Sequence, residues 1–492
     1  MMWKRFCYHR LGVAALIVVA FFCLVGIYAP LLASSRPLFV VYDGQAYFPL
    51  FRYLFYTGFF TKRLDLFFNL MIVTFPLLVG ILWLAPRNIK VPLAISILLA
   101  HLSLFAFLVY MPLIDPAGDV ALAQKRTQAI RTNKEWLPSW AFELQHITPY
   151  ARLNLVLRHQ QRLNQHERLL PYSAQYATSI QNSVLKDKQQ THLPTLWQME
   201  KDHEEQELQR LKASLESTPN KNTEAQLQYL VDRRQWLNEQ LPQLKHEVMP
   251  LVTDFHWEDD AGGQQALNYF LPWWELTRIN RKNLLAALIF GVRISLTVGI
   301  IAVGLSLLVG IPIGAYSGYY GGKIDIIVSR LIEIWEAMPV FFMLLMVVAL
   351  LQSKSIFLVT AVIGFFGWTQ FSRYIRGEFF KQRNLSYVEA CHSLGFRDSY
   401  IMFKHILPNA MPPVLTLLPF AIMAAITSEA GLSFLGLGEE GSCSWGVLMD
   451  EGRSAFPAES YLLWPPAILL TVFLIAIALV GDSLRDTLDP KL

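Results

Sequence analysis

Glu389, Ala390 and Cys391, followed by Gly395 and then by Leu407-Pro408, form the one polar pattern in this chain whose residue types and spacing suggest a defined chemistry. That chemistry is docking rather than bond making. A carboxylate beside two small side chains on a short helix offers a partner one directed charge and a surface that can be approached closely. Gly395 is free to take φ > 0 and turn the chain sharply, and a Leu-Pro pair suits a break where a new helix starts. Tyr387, Val388 and Leu394 complete the stretch, with Glu389 as its acidic pin.

The other residues able to do chemistry form no comparable set. Seven of the eleven histidines lie between residues 115 and 282, with His159 and His166 seven apart and His203 and Glu207 four apart. Nothing repeats, and neither HExxH nor clustered Cys/His spacing occurs, so these side chains read as solvated helix faces and no metal is expected. Cys7, Cys23, Cys391 and Cys443 are too scattered for a metal site or a disulfide framework. Gly318-Tyr319-Tyr320-Gly321-Gly322-Lys323 looks like a phosphate loop at first sight. GxxxxGK[ST] fails there, because Ser317 and Ile324 occupy its first and last positions. A membrane-embedded hydrolase would need a nucleophile–base pair inside the spans, and His101 stands within a span with no partner evident in the sequence. The chain is therefore expected to be non-catalytic.

The elements that must hold the docking pattern are membrane helices. Of 492 residues, 53% are hydrophobic and 16% charged, too apolar for a soluble chain of this length, and the apolar residues come in blocks. A net charge of +4 is too mild to argue for nucleic acid, and none is expected as a partner. Spans are expected at 11–33, 66–85, 92–114, 283–315, 331–351, 356–371, 410–427 and 462–480. Lys4, Arg5 and Arg10 precede the first. It reads as an uncleaved anchor (1–33), being closer to the roughly 20 residues that cross a bilayer than to a signal core of about 7–15. Cleavage near Ala33-Ser34 is the alternative.

Residues 34–65 form an aromatic-rich extracytoplasmic segment, and 66–114 a hairpin closed by the basic turn Arg87-Asn88-Ile89-Lys90, a cytoplasmic signature. Residues 115–282 are charged and glutamine-rich. Leu227, Leu230, Leu237, Leu241 and Leu244 make a heptad-like stripe, and Leu208, Leu211 and Leu215 a second one. With the turn residues 218–222 between them, they predict an antiparallel, coiled-coil-like helical pair inside a soluble extracytoplasmic insert. In the core, 283–492, residues 284–290 are expected to lie against the headgroups with Arg293 marking the interface. Arg373, Arg376, Lys381, Arg383, Arg397 and Lys404 place the loop 373–408 in the cytoplasm. Lys62, Arg63, Arg278 and Lys282 run against that rule, but eight spans, three before the insert and five after, put both termini in the cytoplasm. Glu429, beside the outer end of its span, reads either as a structural contact at a helix end or as a substrate contact.

Several stretches taken together resemble one family. Gly291-Val292-Arg293-Ile294-Ser295-Leu296, Gly318-Tyr319-Tyr320-Gly321-Gly322, Glu389 to Gly395, His405-Ile406-Leu407-Pro408-Asn409, Leu432-Ser433-Phe434-Leu435-Gly436-Leu437-Gly438 and Leu484-Arg485-Asp486-Thr487-Leu488-Asp489-Pro490 look like the C-type permease subunits of dipeptide/oligopeptide ABC importers. The loop around Glu389 resembles the EAA loop of those permeases, with Cys391 in place of an alanine. Arg36 to Gly44 and Tyr47-Phe48-Pro49 resemble the N-terminal outer segment of the microcin-C-type peptide permeases.

The resemblance implies an all-α integral membrane protein with the type I importer permease fold, carrying an extra N-terminal hairpin and a helical insert. It implies a bacterial inner-membrane location and a B-type permease, two cytoplasmic ABC ATPase subunits and an extracytoplasmic substrate-binding protein as partners. ATP and Mg would be bound by those ATPases, with no cofactor on this chain. Tyr387, Val388, Glu389, Ala390, Cys391, Leu394, Gly395, Leu407 and Pro408 would couple to the ATPase, and Arg293, Ser295, Glu429, Phe434, Gly436 and Gly438 would be pathway or structural motif residues. The acidic, glycine-containing motif usual before the Gly-x-Arg-x-Ser-Leu element is replaced by Phe270-Leu271-Pro272-Trp273-Trp274-Glu275. A permease for a nickel chelate or another small solute, and a membrane sensor or scaffold whose insert is an interaction arm, are the competing readings.

Overall fold

The computed structural model describes residues 6–56, 62–113, 128, 148–161, 163–164, 203–217, 219–253, 283–351, 355–439, 442–454 and 463–488. Much of the insert, the Phe270–Glu275 replacement, His166, Thr218 and the closing Asp489-Pro490 pair lie outside the described residues. In chain order come α1 (Arg10–Ile27), β1 (Phe39–Tyr42), β2 (Gln45–Tyr47), α2 (Arg63–Leu84), α3 (Arg87–Tyr110), α4 (His203–Ser217), α5 (Lys221–Gln240) and β3 (Leu244–Val248). Then follow α6 (Leu284–Tyr320), α7 (Gly322–Ala337), α8 (Val340–Leu351), α9 (Ile356–Phe366), α10 (Trp368–Gln382), α11 (Ser386–Ser393), α12 (Leu407–Leu432), α13 (Trp445–Ser454) and α14 (Trp464–Leu488). Among the described residues seven helices are long and apolar enough to cross a membrane, or eight if the bent pair α7–α8 counts as one span. The chain divides into two compact units, one of Met1–Ile27 with Ala287–Leu492 and one of Tyr28–Ala286.

In the first unit α1 packs along α14, and Phe22 sets its ring 4.9 Å from Phe473 and 6.0 Å from Trp445. α6 is a single 37-residue helix, about 55 Å long at 1.5 Å per residue, well beyond the roughly 30 Å of a bilayer's hydrocarbon. The expected headgroup segment 284–290 is instead the buried start of this rod, with Leu284, Ala287 and Phe290 inside. Its far end packs on α10 through a stripe of glycines. A Cβ on Gly310 or Gly318 would stand 2.6 Å from the carbonyl oxygen of Trp368 or Arg376, and one on Gly314 would collide with that of Ser372. Glycine at every fourth residue against carbonyls at every fourth residue brings two helix backbones together, a common device where no hydrophobic gain is available.

Two expected helix boundaries differ. The span at 331–351 is interrupted, since α7 and α8 meet at 76°. Pro339 disfavours helical backbone in its predecessor, and Met338 is extended at φ −80°, ψ 130°. The break at Leu407-Pro408 is softer than expected. Residues from Asp398 onward are already helical, wind as a π-helix over Ile401–Ile406, and pass into α12, so Pro408 removes one N–H from a helix that is already running.

The second unit holds the α2–α3 hairpin and a small sheet with its helices. Leu66, Leu70 and Leu108 pack inside the hairpin. His101 does have a partner there: its Nδ1 lies 3.0 Å from Thr74 Oγ1. Thr74 donates its proton to the Leu70 carbonyl at 3.1 Å, so its oxygen accepts from His101 Nδ1–H and the pair is no nucleophile with its base. The sheet, order β2-β1-β3, is antiparallel throughout and joins the 34–65 segment to the insert in one fold, with Val40 opposite Tyr47 and Val41 opposite Lys245. Asp43 and Gly44, at φ 51° and 72°, make the two-residue turn between β1 and β2.

The leucine stripe ends early. Pro242 stops α5 at Gln240, Leu241–Gln243 is a 3-10 turn, and Leu244 opens β3. Leu237 packs with Val40, Tyr42, Leu153 and Val156 in the core under the sheet, so the stripe serves a globular core rather than a coiled coil. α4 and α5 do pack on each other. His159 pairs with Asn238 Oδ1 at 2.9 Å.

Candidate functional site

α11 is eight residues long, too short to persist alone in water, and two features fix it in place. Its inward face carries Val388 and Cys391, which are buried with Phe379, Ile401, Met402 and Ile406. Its end is closed by a Schellman motif. Phe396 N–H donates to Cys391 O at 3.1 Å and Gly395 N–H to His392 O at 2.9 Å, with Gly395 at φ 76°. At the other end Tyr387 donates its hydroxyl to Gln382 Oε1 at 2.6 Å. Burial pushes that phenol above its ordinary range, so it stays a neutral donor.

The outward face is made of Glu389, Ala390, Ser393 and Leu394, all exposed. Among the described residues no cation pairs with the Glu389 carboxylate. Of the two small residues expected to admit a partner, Ala390 faces out and Cys391 faces in, because helical spacing sets Cys391 on the Val388 side. The site thus offers one unpaired carboxylate, one small side chain and one apolar tip on a helix seated from behind.

The sequence reading missed the residues that tie α11 and its neighbours to α6. Tyr319, one residue from the end of α6, donates its hydroxyl to Asp398 Oδ1 at 2.9 Å and lies 3.3 Å from His392 Nε2. Arg383 Nη1 donates to the carbonyls of Gly318 and Tyr319 at 3.4 and 3.3 Å, closing the end of that helix. Arg376 grips Asp325, which also accepts from Ser317 Oγ at 2.7 Å. The Gly318–Gly322 stretch and the basic run holding Arg376 and Arg383 were visible in the sequence, but of the packing itself only the glycine stripe of α6 gave a signal, as small residues at i, i+4 and i+8.

The remaining motif residues lie elsewhere. Arg293 is buried: its Nε donates to Gly26 O at 2.7 Å and Nη2 to Ile27 O at 3.3 Å, capping the last carbonyls of α1. Ser295 is buried beside it on α6. Glu429 is buried near the end of α12, and one of its oxygens accepts from Ser433 Oγ and Ser444 Oγ, both at 2.7 Å. Gly436 takes φ 81°, Gly438 is tucked against Ser433 and Val447, and the Arg453 guanidinium lies 5.5 Å from the Phe434 ring centre. Glu389 precedes α12 and Glu429 sits about 33 Å along it at 1.5 Å per residue. These are two sites joined by a rod.

The chain matches two family profiles, "Binding-protein-dependent transport system inner membrane component" over residues 310–492 and "N-terminal TM domain of oligopeptide transport permease C" over residues 1–49. It is 37% identical over 240 residues to the oligopeptide transport system permease protein OppC of Haemophilus influenzae, covering 49% of this chain and 75% of that protein. It is 34% identical over 260 residues to the glutathione transport system permease protein GsiD of Pectobacterium atrosepticum, covering 50% and 85%. The peptidoglycan transport system permease protein YejE of Agrobacterium fabrum shares 37% identity over 219 residues, 44% of this chain and 57% of its own length. The chain spans about three fifths of the length of that protein and of the matching permeases YejE of Escherichia coli and OppC of Bacillus subtilis.

Proposed function

The chain belongs to the family of binding-protein-dependent transport system inner membrane components, and from that premise we propose that it is the transmembrane permease subunit of an ABC importer for peptides. In this reading the chain lines the translocation pathway and catalyses nothing itself. ATP and Mg are held by two separate cytoplasmic ATPase subunits, a B-type permease forms the other half of the pathway, and an extracytoplasmic binding protein delivers the peptide. Permeases named for oligopeptides and for glutathione, itself a short peptide, support the substrate class.

One observation carries the coupling role: α11 keeps Val388 and Cys391 in the core while presenting Glu389, Ala390 and Leu394 outward. A helix seated on one face and bare on the other takes up a push from a partner. The proposed topology puts both termini and the 373–408 loop in the cytoplasm, and the sheet with α4 and α5 outside. Cross-linking tests the docking face. In the assembled complex, Ala390→Cys is expected to cross-link to an ATPase subunit with a short bifunctional thiol reagent, while native Cys391 does not. Cross-linking through Cys391 alone would place the wrong face at the partner.

A further inference from the structure

Resting on that reading, we propose that Tyr319, His392 and Asp398 form a polar clamp that makes displacement of α11 reach α6, and so makes α6 the rod that carries the motion across the membrane. The argument begins with protons. Asp398 Oδ1 can only accept, so Tyr319, 2.9 Å away, spends its single hydroxyl proton there. Toward His392 Nε2, at 3.3 Å, the phenol oxygen is then the acceptor, which sets the His392 proton on Nε2. The His392 and Tyr319 rings are stacked 6.4 Å apart at 28°, and His392 Nδ1 lies 4.0 Å from the same Asp398 oxygen. Three pieces of chain meet at one phenol: the end of α6, the last turn of α11 and the first turn of the helix that runs on into α12.

No other contact described for α11 ties it by a directional bond to α6: the Tyr387 hydroxyl bonds Gln382 at the end of α10. Val388 and Cys391 hold it by apolar packing, which is non-directional and resists separation more than sliding. Hydrogen bonds from a fixed phenol to two residues on either side of Gly395 set direction. From Tyr319 the path is continuous: α6 is one 37-residue helix, its glycine stripe locks it to α10, and Arg293 near its other end holds the last carbonyls of α1. Displacing α11 with the clamp intact pulls on α6; with the clamp cut, the displacement loses its directed link to α6.

The experiment uses the complete importer in proteoliposomes with an oligopeptide as substrate, reading ATPase subunits retained and peptide taken up per ATP hydrolysed. Tyr319→Phe and Asp398→Ala are expected to retain the ATPase subunits in wild-type ratio and to lower uptake per ATP by about three- to tenfold, the effect of losing a hydrogen bond or two. The double variant is expected to be no worse than Tyr319→Phe alone, because that change already removes the hydroxyl from Asp398. His392→Gln, whose amide can donate from the same place, should keep coupling that His392→Leu loses, so the proposal does not hang on one substitution being tolerated. Wild-type uptake per ATP in Tyr319→Phe, loss of the ATPase subunits from it, or multiplying losses in the double variant would each overturn the clamp. Glu389→Ala is the separate control: if it keeps wild-type association and uptake, the docking reading itself fails, whatever Tyr319 does.

Discussion

Gly395 illustrates how one residue's backbone, rather than its bulk, holds α11. A Cβ there would meet nothing within 4 Å, so any cost of substitution comes from the φ of 76° alone. Gly395→Asn is expected to stay near wild type in thermal unfolding of the purified complex, because Asn tolerates this conformation. Gly395→Val should lose about 1–2 kcal/mol. Equal stability of the two would mean that the Schellman turn is not needed. The short helix that carries Glu389 and the turn at Gly395 were legible in the sequence because both are local features. The facing of Cys391 was not, since eight residues give too little apolar pattern to choose a face. Tyr319 was invisible for a plainer reason: its partners His392 and Asp398 are more than seventy residues away.

At the scale of elements, the close seating of α6 on α10 should be sensitive to a single methyl group. Gly314→Ala has to push the backbone of Ser372 away and is expected to cost about 1–3 kcal/mol, as overpacking does. Gly304, on the same helix, has open space around it. Gly304→Ala should be neutral or slightly stabilising, by up to about 1 kcal/mol. Melting of the detergent-purified complex separates the two, and equal effects would show that the stripe does not set the helix spacing. Hydropathy made the helices themselves legible. It could not show the bend at Pro339, because proline also occurs inside continuous spans such as α12, and neighbours decide which outcome holds. Nor did it show that Leu244 belongs to a strand. The heptad spacing continued past Pro242, while backbone chemistry did not.

At the scale of the whole molecule, membrane class and family were readable from the blocks of apolar residues and from motifs that keep their order. The sheet was not, because β1 and β3 lie some two hundred residues apart and each is short. Topology can be measured directly. With the native cysteines replaced, a cysteine at Asn220 is expected to react with a membrane-impermeant thiol reagent in intact spheroplasts; labelling only after the membrane is opened would reverse the proposed orientation. The central claim is that separate ATPases drive uptake through this chain by way of α11. Its most direct test is ATP-dependent uptake of a labelled oligopeptide into proteoliposomes holding the full importer, with Glu389→Lys beside wild type. Truncating one member of a charge pair in a closed protein interface costs roughly 2–5 kcal/mol, and reversing the charge adds repulsion. Uptake should therefore be abolished in Glu389→Lys while the binding protein still binds peptide. Wild-type, ATP-coupled uptake in that variant would contradict the account.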